Sequence, residues 1–140
     1  MSTPYEIEMD LRWSDQDAQG HVNNAKIVTL AEEGRIRFHT FLASRRQGGG
    51  ESGSLVVARQ EIDYHAQTRY APSITLRVSV VRIGTKSYTL RQQGIQGGEP
   101  VFTVDSILVR LDGSGASRAL TEQERKELAA WSWPEEQSSA

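Results

Sequence analysis

Between residues 5 and 24 the hydrophobic period of this chain changes, and that change limits what it can fold into. Tyr5, Ile7, Met9, Leu11 and Trp13 alternate with Glu6, Glu8, Asp10 and Arg12, so residues 5–13 predict a half-buried strand. From Asn24 to about Leu42, Ile27, Leu30, Ala31, Gly34, Phe38, Phe41 and Leu42 recur at steps of three and four. That stripe predicts a long helix lying on a core. Asn23 or Asn24 can cap it through a side-chain oxygen, and Glu33 can pair with Arg37 one turn on. Glycine inside a helix costs about 1 kcal/mol against alanine. Gly34 on the apolar stripe therefore predicts an element packed close to the backbone there.

Residues 44–54 hold four glycines and three serines and predict a mobile surface loop. Four strand-like segments follow at 55–65, 74–83, 86–94 and 100–111. The short links at 69–73, 83–85 and 96–99 predict antiparallel neighbours. Val101, Thr103, Asp105, Ile107, Val109 and Leu111 share one face of the last segment, while Phe102, Val104 and Leu108 make the other face apolar as well. That suits a sheet buried under the helix on one side and at a subunit contact on the other. Thr121 with Glu124 reads as a capping box opening a short helix over 121–131, and the polar tail 135–140 is expected to fray. The order strand, long helix, four strands, short helix predicts an α+β domain over 1–140, its core at about 5–112. With no second long helix to cover the sheet, a homodimer or homotetramer is expected.

Composition narrows the function. In 140 residues the formal net charge is -2 and there is no cysteine, so nucleic acid is a poor partner and thiol chemistry is excluded. No apolar run reaches the roughly 20 residues of a spanning helix. The first residues lack the basic and apolar regions of a signal peptide, so no membrane association and a cytoplasmic location are expected. The three histidines make no spaced metal cluster, and neither metal nor cofactor is expected. Arg59, Arg69, Arg77, Arg82, Lys86 and Arg91 make the middle of the chain basic, which would suit a small phosphorylated ligand.

Residues 12–24 carry the chemistry. Asp15, Asp17, Gly20, His21, Asn23 and Asn24 lie between strand and helix, with Trp13 positioned to help wall the site. The two aspartates can be turn-forming carboxylates. They also adjoin the free amides and partial positive charge of a helix N-terminus, where a carbonyl oxygen can be held while a carboxylate attacks or deprotonates water. His21 reads equally as a base, a ligand or a structural side chain.

The run Asp-Gln-Asp-Ala-Gln-Gly-His-Val-Asn-Asn at 15–24 resembles the opening of the hotdog-fold acyl-CoA thioesterases, in the 4-hydroxybenzoyl-CoA thioesterase-like branch. Glu33-Gly34-Arg35, Ile62-Asp63-Tyr64 and the turn Arg82-Ile83-Gly84-Thr85-Lys86-Ser87 resemble later family segments. The likeness covers roughly residues 5–112. Tyr64 is followed by His65-Ala66-Gln67 rather than an early proline, no Gly-Asp or Gly-Glu pair precedes Ile74, and Ala25 stands where many relatives have tyrosine. The resemblance implies a hotdog fold, with a long helix wrapped by a curved antiparallel sheet of about five strands. It also implies Asp17 as the catalytic carboxylate and active sites at subunit boundaries. Substrate contacts are expected from His21, Val22, Asn23, Asn24 and Glu33, with amides near Val22, Asn23 and Asn24 polarising the carbonyl. Pantetheine or phosphate contacts are expected from Arg82, Lys86 and Ser87. The expected reaction is hydrolysis of an acyl-CoA to a carboxylic acid and free CoA, Asp17 acting as general base or nucleophile. The alternative is a non-catalytic acyl-CoA or small acyl-ligand binding protein with the same fold. A hydratase is a third reading, whose usual histidine-plus-acid pattern is not evident.

Overall fold

A computed structural model describes residues 4–46 and 54–132. The glycine-rich stretch 47–53 and the tail from 133, to which the loop and fraying expectations apply, lie outside the described residues. The elements are β1 (Tyr5–Asp10), a 3₁₀ turn (Trp13–Asp15), α1 (Asn24–Ser44), β2 (Ser54–Tyr64), β3 (Ser73–Ile83), β4 (Ser87–Gln96), β5 (Glu99–Leu111) and α2 (Glu122–Ala129). The strands form one antiparallel sheet in the order β1-β3-β4-β5-β2, and α1 lies across one face. This is the expected α+β hotdog architecture.

The apolar stripe of α1 (Ile27, Leu30, Ala31, Phe38 and Leu42) is buried together with Leu76, Val78, Leu90, Phe102 and Val104 of the sheet. Gly34 sits where expected. A Cβ there would come within 2.1 Å of Leu76 Cδ2 and 3.2 Å of Gln92 Nε2. Gln92 is fully buried and donates from Nε2 to the Ala31 carbonyl at 2.7 Å. This polar tie through the core keeps helix and sheet in register. Between β4 and β5, Gly97 and Gly98 have φ of +61° and +79°, the double left-handed turn that matches strand twist in a tight hairpin.

Three expectations are corrected. The first strand ends at Asp10, not residue 13. Leu11 stays buried, but the chain then tightens into the 3₁₀ turn, and Trp13 is 74% exposed rather than part of an apolar wall. Second, β2 and β3 are not neighbours. β2 pairs only with β5, and residues 65–72 carry the chain past the ends of β5 and β4 to β3. Across three strand spacings this is about 14 Å. Third, the outer sheet face is not broadly apolar. It carries Glu6–Arg77 (3.3 Å) and Arg91–Asp105 (2.7 Å) ion pairs, with Glu8 accepting from Ser73 and Thr75. Exposed apolar side chains gather instead at Val56 and Val57 on the edge strand β2, and at Trp13, Tyr64 and Tyr70 around the loops.

Candidate active site

The acidic loop is built on Asp15. Its carboxylate accepts from the Arg12 N–H at 3.0 Å and from Arg12 Nη2 at 3.4 Å, and its own N–H donates to the Arg12 carbonyl at 2.9 Å. Its carbonyl receives the Asn23 N–H at 2.9 Å. Asp15 is buried and is fully committed to holding the turn against the start of the helix.

Asp17 is arranged differently. Its backbone N–H donates to the His21 carbonyl at 2.8 Å, and its carbonyl accepts from Gly20 at 3.1 Å. Gly20, with φ of +82°, makes this tight reversal possible. The carboxylate Oδ1 accepts from the Gln19 N–H at 2.9 Å and the His21 N–H at 3.3 Å. These bonds fix the carboxylate, and Oδ2 takes none from a described residue. The side chain stands exposed at the mouth of a cleft.

That cleft, about 460 Å³, is lined on one side by Asp17, Gln19, His21, Val22, Asn23 and Asn24, with Ile27 at the back. Tyr64, Ala66, Gln67 and Thr68 line the other side. The second wall is the crossover from β2 to β3, stitched to each element it passes. His65 and Ala66 donate backbone N–H groups to the Val101 carbonyl, Thr68 accepts the Val22 N–H at 2.8 Å, and the Leu11 N–H reaches the Pro72 carbonyl. The sequence reading missed this wall, because a chain segment with no period of its own shows its role only once the strand order is known.

At the helix N-terminus, Asn23 is the cap, its Oδ1 accepting from the Ala25 N–H at 2.8 Å. Of the three amides expected to polarise a carbonyl, that of Val22 goes to Thr68 and that of Asn23 to Asp15. The Asn24 N–H alone has no partner among the described residues. It lies in the first turn of α1, where the partial positive charge of the helix is greatest.

The other expected residues are dispersed. Glu33 accepts from Arg37 Nε at 3.0 Å and lines a separate groove with Asp10, Arg12, Asp15 and Lys26. Arg82, Lys86 and Ser87 lie at the β3–β4 turn. There Gly84 N–H donates to the Ser87 carbonyl at 2.7 Å, and Arg125 Nη1 donates to the Gly84 carbonyl at 2.7 Å. This turn is separated from the start of β3, beside the cleft, by the length of an 11-residue strand, about 36 Å. One protomer therefore does not bring it to Asp17. Among the described residues no group of three histidine, aspartate or glutamate side chains is arranged to hold a metal ion, and no helix is long and apolar enough to cross a membrane.

The chain belongs to the thioesterase-like superfamily, whose sequence model matches residues 11–139. It is 29% identical over 123 residues to the protein YsmA of Bacillus subtilis, covering 86% of this chain and 82% of that one. Among solved structures it resembles a thioesterase from Thermus thermophilus complexed with coenzyme A and zinc. That match has 29% identity and a TM-score of 0.75, over 90% of this chain and 92% of the other. A predicted thioesterase from Bacillus stearothermophilus shares the fold at 23% identity with a TM-score of 0.79, over 94% and 98% of the two chains.

Proposed function

We propose that this protein hydrolyses acyl-CoA thioesters in the Asp17 cleft, releasing a carboxylic acid and free CoA. One juxtaposition carries the reading. A carboxylate held by Oδ1 with Oδ2 unengaged, and the uncommitted first-turn amide of Asn24, line the same cleft. With the thioester carbonyl oxygen on the Asn24 N–H, negative charge developing there meets a donor and the helix dipole. As general base, Asp17 takes a proton from water while the water oxygen attacks the carbonyl carbon. The tetrahedral intermediate then expels CoA thiolate, which takes up the proton. As nucleophile, Asp17 would instead displace the thiolate directly, and water would cleave the resulting anhydride. Single-turnover hydrolysis in ¹⁸O-water tests the nucleophilic route. Label in the Asp17 carboxylate requires an anhydride cleaved by water at the aspartyl carbonyl, whereas label in the released acid alone follows from direct attack of water or from anhydride cleavage at the acyl carbonyl.

The coenzyme A bound by the Thermus thermophilus relative supports an acyl-CoA substrate. His21, Val22 and Asn23 contribute to this cleft as walls, the His21 and Asn23 amides being engaged within the loop and that of Val22 by Thr68 across the cleft wall. Arg82, Lys86, Ser87 and Glu33 reach a substrate in this reading only across a subunit boundary. A homodimer or homotetramer is part of the proposal, because β2 has a hydrogen-bonded neighbour on one side only and exposes Val56 and Val57 there. A strictly monomeric mass by light scattering at micromolar concentration would remove that part. The reaction itself is tested by thiol release from a panel of acyl-CoAs. Turnover of at least one by the wild-type protein is expected, and binding without turnover across the panel would leave only the ligand-binding alternative.

A further inference from the structure

Trp13 and Tyr70 form an exposed aromatic pair beside the cleft. The indole is 74% exposed and the phenol ring 39% exposed, and the rings meet edge to face at 5.9 Å and 81°. The backbone is held at Trp13 and beside Tyr70. The Trp13 carbonyl accepts from the Gln16 N–H at 3.3 Å and from Gln16 Nε2 at 3.2 Å. The neighbour of Tyr70, Arg69, is clamped by one side chain at both ends of its peptide unit. Its N–H donates to Gln96 Oε1 at 3.1 Å, and its carbonyl accepts from Gln96 Nε2 at 2.8 Å. Arg69 also bridges to His21 of the acidic loop. Its guanidinium is exposed and takes no partner among the described residues. Hydrogen bonds thus fix the main chain at Trp13 and at Arg69, next to Tyr70, under three exposed side chains. Such rigidity lowers the entropy cost of binding. An edge-to-face pair leaves a ring face open to a planar guest, and the adjacent cation suits a phosphate.

We propose that Trp13, Tyr70 and Arg69 form the dock for the nucleotide end of the acyl-CoA, the adenine stacking on the aromatic pair and a phosphate meeting Arg69. The inference rests on the acyl-CoA reading and adds a location that the sequence placed elsewhere, at Arg82, Lys86 and Ser87. The dock begins at Arg69, the residue after Thr68 of the cleft wall, and Tyr70 lies two residues beyond Thr68, about 7 Å along extended chain. Nucleotide and thioester are then held by adjoining parts of one protomer. The Arg82 turn would need a second protomer.

The test uses the full chain and two readouts. Adenosine 3′,5′-bisphosphate is titrated against tryptophan fluorescence. Saturable quenching is expected in the wild type and its loss in Trp13→Leu, while pantetheine produces none. In kinetics, Trp13→Ala combined with Arg69→Ala should raise KM for an acyl-CoA by roughly tenfold or more, the scale of a lost base stack. kcat should hold, as should KM for the same acyl group on pantetheine, because uniform binding remote from the scissile bond is what has been removed. No quenching at millimolar bisphosphate would overturn the proposal. So would an equal KM rise on acyl-pantetheine, a larger rise in Arg82→Ala/Lys86→Ala, or a change of oligomeric mass in Trp13→Ala, which would mark the pair as a contact between copies. Bisphosphate binding without hydrolysis of any thioester would overturn the catalytic reading and leave this dock standing.

Discussion

The two ends of α1 carry polar clusters of opposite design. At its C-terminal half, His39 Nε2 and the Tyr88 hydroxyl lie 2.5 Å apart beside a cavity of about 270 Å³ shared with Arg46, Arg110 and Glu124. Nearly every charge there is paired. Glu124 meets Arg110 Nε at 3.1 Å and Arg118 Nη1 at 3.0 Å while closing the Thr121 capping box of α2, and Arg46 pairs with Glu127 at 2.9 Å. An aromatic group of Tyr5, Phe38, Phe41 and Trp131 seals the same end. At the N-terminal end, Asp17 and Asn24 are exposed and each keeps a hydrogen-bonding valence open. A polar cluster with closed valences holds a fold together. One whose valences are left open, on a backbone that is itself held, is fit for a ligand.

The difference predicts that substitutions at the two ends fail in opposite ways. Asp17→Asn should lower turnover by roughly 10²–10⁴-fold, the usual share of an acid–base group. Its thermal midpoint should not move, since the amide oxygen can still accept from the Gln19 and His21 N–H groups. If turnover survives, Asp17 is not the catalytic carboxylate and the comparison collapses. Glu124→Gln should do the reverse. It removes the negative charge that faces the Arg110 and Arg118 guanidinium groups and should cost about 3–5 kcal/mol in denaturant unfolding, with turnover per folded molecule unchanged.

Gly34→Ala probes the joint between the two ends. Helix propensity alone would favour alanine by about 1 kcal/mol. The new methyl, however, would displace Leu76 and crowd Gln92, whose bond to Ala31 holds the sheet to the helix. A net loss of about 1–3 kcal/mol is expected, typical of overpacking. A gain in stability would show that Leu76 rotates away without cost. Asp15→Asn should cost about 1 kcal/mol, as for a lost cap, and slow turnover less than Asp17→Asn, because it acts through the position of the loop.

The same contrast explains what could be read from the chain alone. Strand and helix periods, the Asn23 cap and the Thr121 capping box depend on neighbours within a turn or two, so spacing reports them. Gly34 shows by its place on the apolar stripe that something packs there, but that it is Leu76 and Gln92 follows from the fold. The Trp13 error has a local cause as well. Alternation runs on through Leu11, and only the bonds between Arg12 and Asp15 reveal that the strand has become a 3₁₀ turn. The crossover at 65–72, the engagement of the Val22 and Asn23 amides and the distance of Arg82 from Asp17 follow from strand order. Strand order depends on pairings between residues far apart in sequence, such as Ser54 with Leu111. Residue type therefore pointed to the acidic loop and the family resemblance to Asp17 within it, whereas the second wall of the cleft required the fold.

The smallest effect at neutral pH lies in the closed cluster and appears on acidification. Burial, reinforced by the charges of Arg110, Arg35 and Arg46, lowers the His39 pKa to about 4. Its unfolded value is about 6.5, so the native state disfavours the imidazolium. The stability from keeping His39 neutral is fully present above about pH 6.5 and is lost progressively as pH falls towards 4. Glu124 enters later. Its burial favours the acid form, but hydrogen bonds from Arg118 and Thr121 and the charges of Arg110 and Arg118 outweigh this and lower its pKa to about 2. Its contribution is present above its unfolded pKa of about 4.3 and declines as pH falls from there towards 2. Denaturant unfolding of the wild type should therefore weaken first between pH 6.5 and 4. His39→Gln offers Tyr88 an acceptor without a titrating ring and should flatten that limb, leaving the decline below about pH 4.3 in place. An unchanged slope between pH 6.5 and 4 in His39→Gln would move the responsible proton to another group. The C-terminal cluster would then be a packed polar core whose pH response originates elsewhere.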